Sequence, residues 1–204
     1  MRAPPRRLAI VAAVAALGVL AWQSQLVRVD LEAAPRPLVL LPESARTACS
    51  CDVVLPVVPV GMTRVSSGGS PLLIHYWAPW ERNGREQAAA LDSLVRTLGA
   101  TDLRVMLVTS DPFPSVARFV LRHRLKLPVL LDGPGHLRAR IPRPRLPHTV
   151  AIDRAGREAV VQSGQVDWLA PETRQVLEAL IGDPSRDPRR AVPPPGSPGG
   201  PTAI

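Results

Sequence analysis

Two cysteines are the residues of this chain whose type and spacing best suit chemistry. Cys49 and Cys51 are its only cysteines and flank a single serine. Outside the cytoplasm thiols become oxidised, but Cα atoms two positions apart in an extended chain are about 6.6 to 7 Å apart, and disulfides prefer about 5.5 to 6 Å. A bridge here would be strained and readily reduced. Four roles therefore remain open for these cysteines. They could be a relocated redox pair, a soft-ligand site for a metal such as Cu(I) or the source of intermolecular bridges, or they could have no catalytic role.

A metal site at these cysteines would need further ligands. A lone Cys-x-Cys is a much weaker signal than two spaced Cys-x-x-Cys motifs. No histidine stands near the pair in sequence, and Met62 is the nearest methionine. We therefore predict neither a metal nor a cofactor.

Glu81 offers a second kind of chemistry, with His75 or His148 as an assisting group. A histidine beside a carboxylate in a cleft is a usable acid/base pair. The sequence does not show that these groups lie within reach of one another. The alternative is that His75 is a hydrogen-bonded core residue and that His148 lines a groove.

The segments that must position these residues alternate between strand-like and helix-like patterns. The strand-like segments are 72–77, 103–109, 129–131, 148–153 and 158–162, with an added hairpin upstream over 55–60 and 62–66. The helix-like segments are 85–98, 115–124 and 171–181. This alternation predicts an α/β sandwich in which helices cover a sheet.

The amino terminus has the pattern of an export signal. Three arginines precede an apolar run over residues 8–22, which has 15 residues, whereas a spanning helix needs about 20. We favour an uncleaved anchor over residues 8–27, with the arginines inside and Trp22 at the far interface. The alternative is cleavage after Ala21, which would release a secreted protein. Either reading places the chain beyond about residue 28 outside the cytoplasm.

Composition divides the chain into four parts. We expect a signal anchor or signal peptide over 1–28, an extended proline-containing tether over 29–52, the folded domain over 53–182, and a disordered tail rich in proline and glycine over 183–204.

The formal net charge is +8, but only Lys126 is a lysine and the arginines are scattered. We therefore predict no nucleic-acid binding, because no basic run is interleaved with aromatic residues. Acidic lipid headgroups near the amino terminus are a better match for the charge.

Residues 71–86, which read PLLIHYWAPWERNGRE, resemble the TlpA-type thiol:disulfide oxidoreductases. That family has an apolar strand, an aromatic residue and then Trp-Ala-x-Trp-Cys-x-x-Cys-Arg-x-Glu. The positions that match are Trp77, Ala78, Trp80, Arg85 and Glu86. Residues 128–132 resemble the family's third strand, and residues 146–153 resemble its cis-proline loop and the following strand. The resemblance implies a thioredoxin-like three-layer sandwich, with a mixed central sheet flanked by helices and an N-terminal added hairpin.

The chain departs from this family where the family has its chemistry. Glu81 and Gly84 stand at the two cysteine positions, so that the motif reads Glu81-Arg-Asn-Gly84. In the family, the first cysteine lies at a helix amino terminus, where the backbone amides lower its pKa, and the second resolves the mixed disulfide. The carboxylate of Glu81 and the hydrogen atom that is the side chain of Gly84 can perform neither step.

We therefore predict a degenerate family member, tethered to a membrane, that binds an extracytoplasmic protein partner. The expected groove is lined by Trp77, Trp80, Glu81, Leu146 and Pro147, where the cis-proline loop exposes backbone groups to an extended peptide. The alternative is an active oxidoreductase of envelope redox homeostasis that acts on a thiol protein through Cys49 and Cys51. A third possibility is a module of a larger envelope complex, with the tail as the contact.

Overall fold

A mixed sheet of seven strands runs through the residues that the computed structural model describes, which are 34–99, 101–141 and 146–182. The strands are β1 (Val53–Val58), β2 (Met62–Val65), β3 (Leu72–Tyr76), β4 (Arg104–Thr109), β5 (Val129–Leu131), β6 (His148–Ile152) and β7 (Glu158–Ser163). Their order across the sheet is β2-β1-β5-β4-β3-β6-β7. Strands β3, β4 and β5 are parallel to one another, and the remaining pairs are antiparallel.

Four helices accompany the sheet within the described part of the chain. They are α1 (Arg82–Leu98), α2 (Phe113–His123), α3 (His136–Arg140) and α4 (Pro171–Ile181), and a single 3-10 turn covers Glu43–Ala45. No helix in these ranges combines the length and the apolar character needed to cross a bilayer. The predicted anchor over 8–27 and the predicted tail over 183–204 lie outside the described residues.

Three of the helices, α1, α2 and α4, share one apolar core on a single face of the sheet. Leu91 of α1, Val116 of α2 and Leu177 of α4 are fully buried there, together with Leu73 and Leu107 of the sheet. Apolar residues spaced at helical intervals place one stripe of each helix against the strands. Burying each large side chain of this kind contributes roughly 1.5 to 3 kcal/mol.

The other face of the sheet is covered differently. Leu137 of α3 and Ile141 just beyond it pack against Ile74 and Val108, which alternate with the residues of the first core. Cys51 belongs to this second cluster and is 4% exposed. The segment that carries the cysteines is therefore part of the covering of this face.

The predicted α/β sandwich, with its mixed sheet, flanking helices and added hairpin, is confirmed. The hairpin is also part of the main sheet, which was not expected, because Val57 and Val58 of β1 pair with β5. Helix α1 begins at Arg82, three positions before the predicted start at 85. The short helix α3 was not predicted, since five residues are too few to show a period.

Residues 35–52, expected to form an extended tether, lie against the folded unit. Arg36 forms a bridge with Val166, the Leu41 amide donates to the Ala159 carbonyl of β7 at 2.8 Å, and Leu38 is 2% exposed. An edge strand such as β7 presents unpaired backbone groups, and an adjacent segment that pairs with them covers the edge. Leu38 adds apolar burial that a freely solvated connection would lack.

Candidate functional site

The loop after β3 and the loop before β6 meet at one end of the sheet. Tyr76, the last residue of β3, is paired with His148, the first residue of β6. The peptide bond between Leu146 and Pro147 is cis, as the resemblance implied. Glu81, a few residues beyond Tyr76, therefore lies at the same end of the sheet as Pro147.

Glu81 occupies the cap position of helix α1. Its backbone is extended, with φ −71° and ψ 133°, and its amide donates to the Ala78 carbonyl at 3.2 Å. Its side chain is half-buried and makes no capping hydrogen bond to the helix. An anion beside a helix amino terminus is still stabilised by about 0.3 to 1 kcal/mol through the helix dipole. The carboxylate thus suits this position at the helix start.

Gly84 lets the same loop fold closely onto the helix. A Cβ atom built at Gly84 would overlap the carbonyl oxygen of Ala78. The turn from Ala78 to Glu81 therefore occupies the space that any larger residue at position 84 would need. A cysteine at this position would require the turn to move.

Trp77 lies in the core and does not line a groove. It is 1% exposed, and its ring packs on Phe119 of α2 with centroids 4.7 Å apart. Pro147 is also buried, and Leu146 is 41% exposed. Of the five predicted groove residues, Trp80 is the most accessible, at 74%.

Trp80 borders a cleft that the sequence did not predict. The cleft has a volume of about 270 Å³ and lies between the start of α1 and helix α2. Its charged lining residues are Arg85, Asp111, Arg118 and Arg122. Glu81, Leu146 and Pro147 do not line this cleft. The clue in the sequence was the spacing of two arginines four positions apart, which places them on one face of α2.

His75 is a core residue. It is 0% exposed, its Nδ1 lies 2.9 Å from the Thr149 hydroxyl oxygen, and its ring meets Trp168 edge-on at 5.4 Å. Burial, with a smaller contribution from His148, lowers the pKa of His75 to about 3. The ring is therefore neutral at physiological pH and cannot serve as a proton donor there.

His148 faces the other side of the sheet. Successive residues of a strand alternate between faces, and Thr149 lies on the face of His75. His148 is 2% exposed, and its Nδ1 lies 2.8 Å from the Ser163 hydroxyl oxygen. The two histidines therefore do not lie together on one face of the sheet.

A buried glutamine ties α1 to the segment after β7. The Gln87 carbonyl oxygen accepts hydrogen bonds from the Val166 amide and the Trp168 indole, both at 2.9 Å, and its amide donates to the Val166 carbonyl. Each of these hydrogen bonds contributes about 0.5 to 1.5 kcal/mol. Sequence reasoning missed this residue, because one polar side chain in an apolar helix stripe gives no sign of its partners.

Cys49 and Cys51 form a disulfide, with Cα atoms 5.3 Å apart. The chain between them is less extended than we expected, and this separation lies within the usual range of about 4.4 to 6.8 Å. The Cys49 amide donates to the Gly156 carbonyl in the turn between β6 and β7.

That turn lies at the end of the sheet where β3 begins, since Leu72 pairs with Ile152. The length of β3, about 13 Å, therefore separates this end from the end that holds Glu81. The structure does not bring the cysteines together with Glu81. Within the described ranges, no group of three His, Cys, Asp or Glu side chains could hold a metal ion.

Comparisons with known proteins show the fold. The chain matches no protein-family model and no curated protein. Among solved structures it resembles a DsbF homologue from Corynebacterium diphtheriae, with a TM-score of 0.60, 18% identity, and coverage of 72% of this chain and 96% of that one. A secreted thiol-disulfide isomerase from Corynebacterium glutamicum gives a TM-score of 0.58, 19% identity, and coverage of 73% and 92%. The chain has a thioredoxin-like fold.

A third solved structure agrees with this thioredoxin-like fold. It is a secreted Mycobacterium tuberculosis disulfide oxidoreductase homologous to E. coli DsbE, with a TM-score of 0.54, 18% identity, and coverage of 62% of this chain and 96% of that one. Identities this low establish the thioredoxin-like fold alone.

Proposed function

We propose that this chain is a membrane-tethered, extracytoplasmic thioredoxin-fold protein of the TlpA type that binds a partner protein and does not exchange disulfides at the usual site. The observation that carries the proposal is the chemistry at the start of α1. Glu81 occupies the cap position of the helix, and Gly84 stands where the family's second cysteine would be. Neither residue can form or break a bond to sulfur.

The backbone supports the same conclusion. The turn from Ala78 to Glu81 closes onto Gly84 and fills the position of a missing side chain. A site adapted in this way has lost more than two sulfur atoms. A single change back to cysteine at position 84 would not restore it without moving the loop.

The site can still hold a partner. Trp80 is exposed beside a cleft, and Leu146 is partly exposed next to the cis peptide bond at the same end of the sheet. Exposed aromatic residues are enriched where proteins bind one another. The proposed binding surface therefore comprises Trp80, Glu81 and the loop at Pro147.

The proposed location rests on the sequence and on the similar structures. Residues 1–28 have the pattern of a signal anchor or signal peptide. Two of the similar proteins are described as secreted. A tether over residues 8–27 would hold the domain at the outer face of the membrane.

The rival proposal is an oxidoreductase that uses Cys49 and Cys51. The observation that favours it is the disulfide itself. Two features oppose it. Cys51 is only 4% exposed, and neither cysteine lies at the start of a described helix, where the thiol pKa would be lowered. A buried sulfur is hard for a substrate disulfide to reach.

Insulin disulfide reduction separates the two proposals. The full chain in nonionic detergent is compared with the Cys49→Ser, Cys51→Ser double variant, with a thioredoxin as the positive control. We expect no activity above background in either protein. Activity in the wild type that disappears in the double variant would establish the rival proposal.

Partner binding is tested by a photo-crosslinking amino acid placed at Trp80 in cells. The control position is Val60, which is 84% exposed and lies in the β1–β2 turn near the start of β5. We expect a discrete crosslinked protein from position 80 and none from position 60. The same products from both positions would argue against a binding surface at this end of the sheet.

A further inference from the structure

We infer that the cleft beside Trp80 binds an acidic segment of the partner protein, an inference that rests on the proposed function. Its first support is charge. Arg85, Arg118 and Arg122 line the cleft, and Asp111 is the one carboxylate among its lining residues. The surplus of positive charge over negative favours an anionic ligand.

The second support is that these arginines have no acidic partner among the residues that the structure describes. Some arginines elsewhere in the described residues pair with carboxylates, as Arg46 does with Asp153 and Arg64 with Asp52. Arg85, Arg118 and Arg122 form no ion pair with any described carboxylate. The Arg118 side chain donates to the Pro114 carbonyl, which leaves its terminal nitrogens for another acceptor.

The third support is the shape of the cleft. A volume of about 270 Å³ accommodates one or two side chains and is too small for a folded surface to enter. Guanidinium groups bind carboxylates through paired hydrogen bonds, and the exposed indole of Trp80 adds an apolar wall. An extended peptide that carries glutamate or aspartate fits this combination.

The nearby binding surface suggests how the partner reaches the cleft. Trp80 borders the cleft, and Glu81 follows it at the start of α1. A peptide that runs from the loop at Pro147 across Trp80 would therefore continue toward helix α2. The acidic part of the peptide would lie on the α2 side, away from the Glu81 carboxylate.

The experiment measures binding by titration calorimetry to the full chain in phosphatidylcholine nanodiscs at low salt. The probes are a capped hexaglutamate peptide, a capped hexaglutamine peptide, inorganic phosphate and a soluble short-chain phosphatidylglycerol. We expect hexaglutamate to bind and hexaglutamine not to bind. Absence of hexaglutamate binding would overturn the inference, as would tighter binding of phosphate or lipid with the same dependence on the arginines.

Variants assign the binding to the cleft. The Arg118→Glu, Arg122→Glu variant should weaken hexaglutamate binding at least about tenfold, because charge is reversed at two contacts. The Arg118→Lys, Arg122→Lys variant should retain most of the affinity and shows that the helix tolerates substitution. The matched control is Arg138→Glu, an exposed arginine on α3 at the other face of the sheet, which should change affinity less than about twofold. Equal losses in the cleft variant and in this control would overturn the inference.

The same charge reversal separates this inference from the proposed function. If the Trp80 crosslink to a partner persists unchanged in the Arg118→Glu, Arg122→Glu variant, partner binding stands and the acidic chemistry is wrong. If the crosslink is lost together with hexaglutamate binding, both are supported. If no crosslink forms in the wild type, the proposed function itself fails.

Discussion

The loop from Ala78 to Gly84 and the segment around Cys49 and Cys51 each have one of the two features that dithiol chemistry needs. The loop lies at a helix start, in the electrostatic setting that activates a thiol, but it holds no sulfur. The cysteine segment holds both sulfur atoms, but it lies at the other end of the sheet and its Cys51 is buried. The reactive atoms and the environment that would activate them are therefore in different places.

This separation explains why the fold alone does not decide the activity. Dithiol chemistry needs an accessible thiolate at a site that lowers its pKa. In this chain, the loop at the start of α1 offers the site that would lower a thiol pKa, and the cysteine segment holds the thiols. The two regions should therefore differ in how they respond to substitution and to pH.

The largest expected effect concerns His75, which lies in the core beneath the loop. Its pKa is lowered to about 3 by burial, whereas in the unfolded chain the imidazole binds the proton near its ordinary pKa of 6.5. Stability is therefore complete above about pH 6.5 and is lost as the pH falls toward 3. The free energy of unfolding should drop by roughly 4 to 5 kcal/mol across that range, at about 1.4 kcal/mol per pH unit.

Urea denaturation at a series of pH values measures this loss. The His75→Gln variant serves as the control, since an amide keeps a hydrogen-bonding group without a proton to bind. The difference between the two stability profiles isolates the histidine. An equally steep acid loss in the variant would show that His75 is not the residue responsible.

The next effect concerns the anchor of the cysteine segment. Burial raises the pKa of Asp153, but hydrogen bonds from Arg157 and Arg46 lower it by more, so that it stays below its usual value. Asp153→Asn should cost about 3 kcal/mol, because it leaves partly buried guanidinium groups without their carboxylate. The difference from the wild type should be full above about pH 4 and shrink as the pH falls further.

The matched control is Asp52→Asn. Asp52 also pairs with an arginine, Arg64, but the two side chains are 52% and 68% exposed. Exposed pairs contribute about 0 to 1 kcal/mol. Chemical denaturation of both variants should give clearly different losses, and equal losses would mean that Asp153 does not anchor the segment.

The third prediction concerns Gly84 and tests how closely the loop from Ala78 to Gly84 packs. Gly84→Ala should lower the free energy of unfolding by about 2 kcal/mol, because the new Cβ overlaps the Ala78 carbonyl oxygen. The usual preference of helices for alanine over glycine, about 1 kcal/mol, acts in the opposite direction.

Gly133→Ala is the control for this substitution, since nothing lies within 4 Å of a Cβ built there. It should change stability by less than about 0.5 kcal/mol. Thermal unfolding of both variants provides the measurement. A stabilising Gly84→Ala would show that the loop is open enough for a side chain.

The smallest effect is expected at the disulfide. The Cys49→Ala, Cys51→Ala variant should lose about 1 to 2 kcal/mol, because a bridge across so short a loop restricts the unfolded chain only slightly. Reduction of the wild type should produce a similar loss when unfolding is followed with and without a reductant. A much larger loss would make the cysteine segment more important to the fold than the structure indicates.

Much of the fold followed from periodicity. The strand over Val129–Leu131 and the helix over Pro171–Ile181 were predicted with their observed bounds. Helix α1 was predicted to begin too late, because Arg82, Asn83 and Gly84 have no apolar period of their own. The cover of β7 by residues 35–52 was also not foreseen, since a proline-containing segment gives no local sign of the edge that it will meet.

The groove predicted at this end of the sheet stays a prediction. The family resemblance implied that Trp80 and Glu81 lie close to Pro147, and the pairing of Tyr76 with His148 brings the two segments to one end of the sheet. The sequence did not indicate that Trp77 would be buried or that α2 would place arginines beside Trp80. Both depend on contacts between elements that are distant in the chain.

The sequence by itself determined which atoms the protein has for chemistry: two cysteines, an acid at the helix start and a glycine three positions on. It also determined the order of strands and helices, because side-chain periodicity is a local property of the chain. Only the tertiary structure decided that the cysteines lie away from that helix start, that His75 is buried and neutral, and that three arginines share a cleft. Those outcomes depend on which distant segments pack together, and burial and proximity then set charge state and access.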